Sequence, residues 1–161
     1  MAFDEEFQGI PINPADLPTD GVTMEESQVY PAILEKATVS MKLSKKDVLY
    51  CAVQVSIPDG DYEGMVVSLN YLALPIGLPA DASKKEKIHA QNLGAPFARF
   101  LRSFKITAIM PPVSLGRPDS LQAWQDWVAK AYGNRGKIMI KNQEFPEGSG
   151  RMRSGISDFV F

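Results

Sequence analysis

Two scarcities narrow the chemistry at once: among 161 residues there is a single cysteine, Cys51, and a single histidine, His89. One thiol forms no internal disulfide, and one thiol with one imidazole cannot complete a tetrahedral zinc site of soft ligands. A disulfide-stapled secreted fold and a zinc finger are therefore excluded. No Gly-Lys-Ser/Thr phosphate loop and no dinucleotide-binding fingerprint occurs. The longest charge-free stretch, Gly64 to Ala80, is shorter than a membrane span and contains Asn70, Pro75 and Pro79. Near the start of the chain, Asp4, Glu5 and Glu6 stand where a secretory leader would carry Lys or Arg. Neither a membrane helix nor export is expected, and the expected location is cytoplasmic.

Basic residues are also missing from one end. From Met1 to Glu35 there are eight acids and no base, and Lys36 is the first cation. The remainder carries eleven of the 19 acids against all 17 bases, so a segment of net charge -8 precedes a body of +6. Such a split suits a body that meets a polyanion. Residues 1–26 hold Pro11, Pro14 and Pro18 without sustained periodicity and read as an acidic arm. Residues 27–161 read as one domain, since the chain is long enough for one core and short for two.

The body opens with period-two alternation. Ala37, Val39, Met41 and Leu43 share one face of a strand from Tyr30 to Leu43, with Lys36, Thr38, Ser40 and Lys42 on the other. A polar turn, Ser44 to Asp47, leads to a second strand with Leu49, Cys51, Val53, Val55 and Ile57 inward. A third is expected from Met65 to Leu74. The period then changes. Ser83 and Glu86 form a capping box for a helix that Gly94 and Pro96 should interrupt, and Phe97, Phe100, Leu101 and Phe104 mark a second helical piece. Another helix is expected from Ser120 to Tyr132, capped by Asp119, with Leu121, Trp124, Val128 and Ala131 as its stripe. Two strands follow, Lys137 to Lys141 and Ile156 to Phe161.

Three strands, a helical insert and two strands is the element order of a mainly β, five-stranded OB-type barrel with a helical insert between strands three and four. With Lys45-Lys46 in the first hairpin and Arg151-Met152-Arg153 in the last, the chain resembles the single-stranded DNA-binding proteins encoded by bacteriophages. The likeness is carried by "YCAVQVSIPDGDYEGMVVSLNY" and "AYGNRGKIMIKNQEF...RMRSGISDFVF" and spans Tyr30 to Phe161. It implies a non-enzymatic protein that coats single strands in replication or recombination, working in the host cytoplasm. Many such proteins finish in an acidic tail that recruits replication partners. Here the sequence finishes in Asp158-Phe159-Val160-Phe161 and the acidic segment lies at the other end.

Binding a single strand requires cations for phosphates and flat rings for bases. Lys36, Lys42, Tyr50 and Gln54 are expected on the outward face of the first two strands, and Lys137 and Lys141 on that of the fourth. Lys45, Lys46, Tyr62, Arg151 and Arg153 are expected in hairpins. All but Gln54 are the candidate nucleic-acid-binding residues. Phe97, Phe100, Phe104 and Trp124 read as core, whereas Trp127, Arg99 and Arg102 read as a helix-borne extension of the groove or as solvent-facing residues. No catalytic residue, metal or cofactor is expected, Cys51 reading as buried and His89 as a surface residue. The expected partners are single-stranded DNA, replication or recombination proteins recruited by the arm, and further copies of the chain in a homo-oligomer. The alternative is a structural or protein-interaction module on a β-barrel, such as a virion component or a regulator. A weaker third reading is a magnesium-dependent nuclease using Asp59, Asp61 and Glu63.

Overall fold

The computed structural model describes residues 11, 13–17, 21–40, 50–74, 80–111, 118–144 and 146–161. Five strands, β1 (Val29–Ser40), β2 (Tyr50–Ser56), β3 (Val66–Ala73), β4 (Arg135–Glu144) and β5 (Met152–Val160), form one antiparallel sheet ordered β3-β2-β1-β4-β5. Two helices, α1 (Lys84–Ser103) and α2 (Pro118–Ala129), fall between β3 and β4, where the helical insert was expected. The sheet is open: among the described residues β3 and β5 share no hydrogen-bond ladder. Their edges nevertheless approach, since a Cβ added to Gly155 would lie 3.3 Å from the Ser68 carbonyl oxygen.

β1 is the strand on which the sheet turns. Its first half, Val29 to Ile33, pairs with β4, and its second half, Ile33 to Ser40, pairs with β2. Glu35 is an extra residue opposite β2, and this bulge shifts the buried set from Tyr30, Ala32 and Leu34 to Ala37 and Val39. Beyond Ile33 the other side of β1 has no β4 partner. There α2 supplies one: the Gln125 Oε1 accepts from the Val39 N–H (3.1 Å) and its Nε2 donates to the Ala37 carbonyl (2.7 Å). The Tyr132 hydroxyl donates to the same carbonyl at 2.9 Å.

α1 begins at the expected box, with the Ser83 hydroxyl accepting from the Glu86 N–H and the Glu86 carboxylate accepting from the Ser83 N–H. The expected interruption does not occur, and the helix runs unbroken through Pro96. Proline removes one bond to the carbonyl four residues back, that of the exposed Asn92, which water can satisfy. Burial of Phe100 and Phe104 against Phe159 of β5, and of Phe97 against Trp124 of α2, offsets the loss. The end of α1 sits tightly on β4. Ser103 Oγ donates to the Lys137 carbonyl and accepts from its N–H, both at 2.9 Å, and an added Cβ at Gly136 would lie 2.8 Å from that oxygen. Only glycine permits this approach.

α2 starts at Pro118 and ends at Ala129, earlier at both ends than its pattern suggested, so Asp119 lies inside it. Trp124, Val128 and Ala131 are buried as expected. Trp127 is buried too, packed edge-on against Trp124 at 5.5 Å, which excludes it from any exposed groove. Arg99 and Arg102 are both engaged, Arg99 in an ion pair with Asp158 (2.7 Å) and Arg102 over the Phe161 ring. Before β1, Met24 is fully buried, its N–H donating to Ser154 Oγ (2.8 Å) and its carbonyl accepting from Asn142 Nδ2 (2.7 Å). The end of the acidic segment is thereby fastened to the β4-β5 hairpin.

Cys51 lies in the core, and burial pushes its thiol up from 9.0 to about 12. Burial also raises the Tyr30 hydroxyl. In both cases the fold favours the protonated form. The resulting stability is complete below about pH 9 and is lost as the pH climbs through the raised values. Thermal unfolding midpoints are expected to fall between pH 9 and 12, and Cys51→Ala to flatten part of that fall. An equally steep fall in the variant would refute the assignment to Cys51.

Candidate nucleic-acid interface

The strand registers place five residues in a row across the sheet. Lys36 of β1 faces Gln54 of β2, Gln54 faces Ser68 of β3, and across the seam Gly155 of β5 faces Lys141 of β4. The Gly155 approach to Ser68 joins the two halves. Neighbouring strands stand about 5 Å apart, so the row is a transverse track with an exposed cation at each end and small or polar side chains between.

Two hollows lie along this track. One, of about 270 Å³, is lined by Lys36, Thr38, Ala52, Gln54, Ser68 and Asn70. The other, of about 530 Å³, spans the β3-β5 seam, with Asn70 and Tyr71 on the β3 wall and Lys141, Gln143, Arg153 and Ser157 on the β4-β5 wall. Ser68 and Asn70 belong to both, which makes them one groove.

Bulges shape this groove. Between Cys51 and Val53 the register shifts so that Asn70 and Tyr71 together oppose Ala52. Unbroken alternation from the buried Val67 would turn Tyr71 inward; the extra residue leaves it 78% exposed instead. The Tyr50 ring meets it edge-on, centroids 5.9 Å apart and planes at 88°. An edge contact fixes the Tyr71 ring and leaves a face for stacking. A second bulge, at Ser157 of β5, turns Ser157 and Asp158 outward and widens the opposite wall.

Among the expected binding residues, the structure brings Lys36, Tyr50, Lys141 and Arg153 to this groove. Three others lie elsewhere. Lys137 is exposed on the same strand face but about 13 Å along β4 from Lys141, opposite Pro31. Tyr62 sits in the β2-β3 turn, at the far end of that hairpin from Tyr50, packed edge-on against Tyr30 at 5.8 Å. Arg151 is exposed in the loop that precedes β5. Lys42, Lys45 and Lys46 fall outside the described residues. Tyr71 and Asn70 were missed because a bulge leaves no mark on local alternation.

Asp59, Asp61 and Glu63 are exposed in the β2-β3 turn. Among the described residues no group of three or more His, Cys, Asp or Glu side chains is placed to hold a metal ion. No described helix is long and apolar enough to cross a membrane. No protein-family model matches the chain, and no curated protein matches it.

Proposed function

We propose that the protein is a non-enzymatic single-stranded DNA-binding protein of the OB type, of the kind bacteriophages use to coat strands in replication or recombination. The observation that carries this reading is the transverse groove, with Lys36 and Lys141 at its ends and the exposed Tyr71 ring, held by Tyr50, beside it. Cations spaced along a track meet successive phosphates, while a fixed ring offers bases a stacking face. The strand order and the approach of β3 to β5 support a barrel whose seam is partly open. In that architecture the β2-β3 face and the loops after β1 and β4 hold the nucleic acid, and Arg151 lies in the loop after β4.

A duplex hides its base faces in the stack, so Tyr71 has nothing to stack on there. Competition between a single-stranded oligonucleotide and a duplex of equal length is expected to favour the single strand by tenfold or more. Equal competition would refute the reading. Absence of binding to either would favour the alternative, a protein-interaction module built on the same sheet.

A further inference from the structure

We infer that the acidic segment from Met1 to Asp20 docks in the cationic groove and is its occupant when no single strand is bound. The inference rests on the single-strand reading for what displaces the segment, and adds a competitor carried by the same chain.

The point of attachment comes first. Asn142 and Ser154 face each other across the β4-β5 ladder and together hold Met24, the Ser154 hydroxyl accepting from its N–H and donating to Asn142 Oδ1 while Asn142 Nδ2 donates to its carbonyl. The Glu26 carboxylate adds a tie, accepting from the Asn142 N–H at 2.6 Å. Successive strand residues point to opposite faces, so Lys141 and Arg153, each one residue from this clamp, stand outward on the wall of the seam hollow. Glu144 shares the Asn142 side, where it accepts from the Gly150 N–H. The segment is therefore tethered behind a cationic wall. Ahead of Met24, no described residue is buried, and Leu17 and Val22 are exposed apolar side chains.

Charge and reach agree with this. Met1 to Asp20 carries five acids, Asp4, Glu5, Glu6, Asp16 and Asp20, and no base. Phe3 and Phe7 flank the first three, so the segment offers the pair of features that a single strand offers: negative charge and flat rings. A flexible chain spans about 5–6 Å times the square root of its residue count, which puts Asp20 about 11 Å from Met24 and Glu6 about 23 Å from it. Five strands about 5 Å apart make the row from Lys141 to Lys36 about 20 Å long. The acids thus cover the track from end to end. Tethering holds them there at an effective concentration of about 1 mM, which another copy in dilute solution does not reach.

The test begins with the full chain and no nucleic acid. A carbodiimide joins a carboxylate to a lysine amine in contact with it as an amide, the reagent taking up the water lost. Mass spectrometry is expected to find Asp4, Glu5, Glu6, Asp16 or Asp20 linked to Lys36 or Lys141 within one chain, and saturating oligo-dT to suppress the links. Links spread evenly over exposed lysines such as Lys84, Lys87 and Lys130, found only between copies, or persisting under oligo-dT overturn the proposal. Deletion of Met1 to Asp20, which keeps the Met24 clamp, supplies the second measurement. A segment that binds with a Kd of about 0.1 mM at that effective concentration weakens single-strand binding about tenfold, so the deletion should raise affinity by that factor at low salt and by less as salt rises. A peptide of residues 1–20 added to the truncated chain should reverse the gain. Unchanged affinity at low salt, or a gain that the peptide does not reverse, overturns the proposal and leaves the single-strand reading standing. Links to Lys36 and Lys141 in a chain that binds no oligonucleotide, even truncated, support the docked segment and remove the reading beneath it.

Discussion

Replacing Tyr71 by alanine is expected to weaken single-strand binding by roughly 1–3 kcal/mol, the scale of one base-aromatic stack, while shifting the thermal midpoint very little. The ring is 78% exposed, so its removal opens no cavity. Tyr71→Phe keeps the stacking face and should retain most of the affinity. Tyr50→Ala should also weaken binding, since it removes the edge contact that holds the Tyr71 ring. Because the rings touch, the double variant should lose less than the sum of the two. Fluorescence anisotropy with a labelled oligonucleotide measures binding, and circular dichroism melting checks the fold. A Tyr71→Ala protein that binds normally but melts early would place the ring in the core and remove the stacking platform.

The opposite outcome is expected at Phe100. This side chain is fully buried and meets Phe97, Phe104 and Phe159, so it joins α1 to β5. Phe100→Ala should cost about 3–5 kcal/mol of stability through lost burial and the cavity left behind. It lines neither hollow of the groove. At temperatures where the variant remains folded, its affinity for single strands should match that of the unaltered protein. Urea unfolding gives the first quantity and anisotropy the second. A fall in affinity without loss of stability would show that the Phe stripe, not the strand face, meets the bases.

The pair of predictions also marks how far the sequence could be read. Strand alternation, the Ser83-Glu86 box and the Phe stripe depend on neighbours a few residues apart, and each leads to the right element. The inward faces of β1 and β2 beyond Glu35 were legible for the same reason. What was hidden depends on distant partners. A bulge is one residue too many relative to another strand, and nothing within "VVSLNYLA" reveals that Asn70 and Tyr71 share the place opposite Ala52. Pro96 reads locally as a break, and only the packing of Phe97 and Phe100 explains why the helix continues. Trp127 lies beside the Trp124 stripe, and its burial follows from docking against the rest of the core. Lys36 and Lys141 were each identified as outward cations. That they close the two ends of one row follows from three strand registers and the seam at Gly155.

The central claim is that this row is an electrostatic track for a single strand, and the salt dependence of affinity tests it most directly. Each neutralised phosphate of a single strand releases counterions, giving a slope of about −0.7 in a plot of log affinity against log salt concentration. With Lys36, Lys141 and Arg153 engaged, the slope is expected to be about −2 or steeper, the cations outside the described residues adding to it. Lys36→Ala and Lys141→Ala should each make it shallower by about 0.7 while leaving the thermal midpoint unchanged. An affinity that does not change with salt, or a slope indifferent to both replacements, would contradict the account.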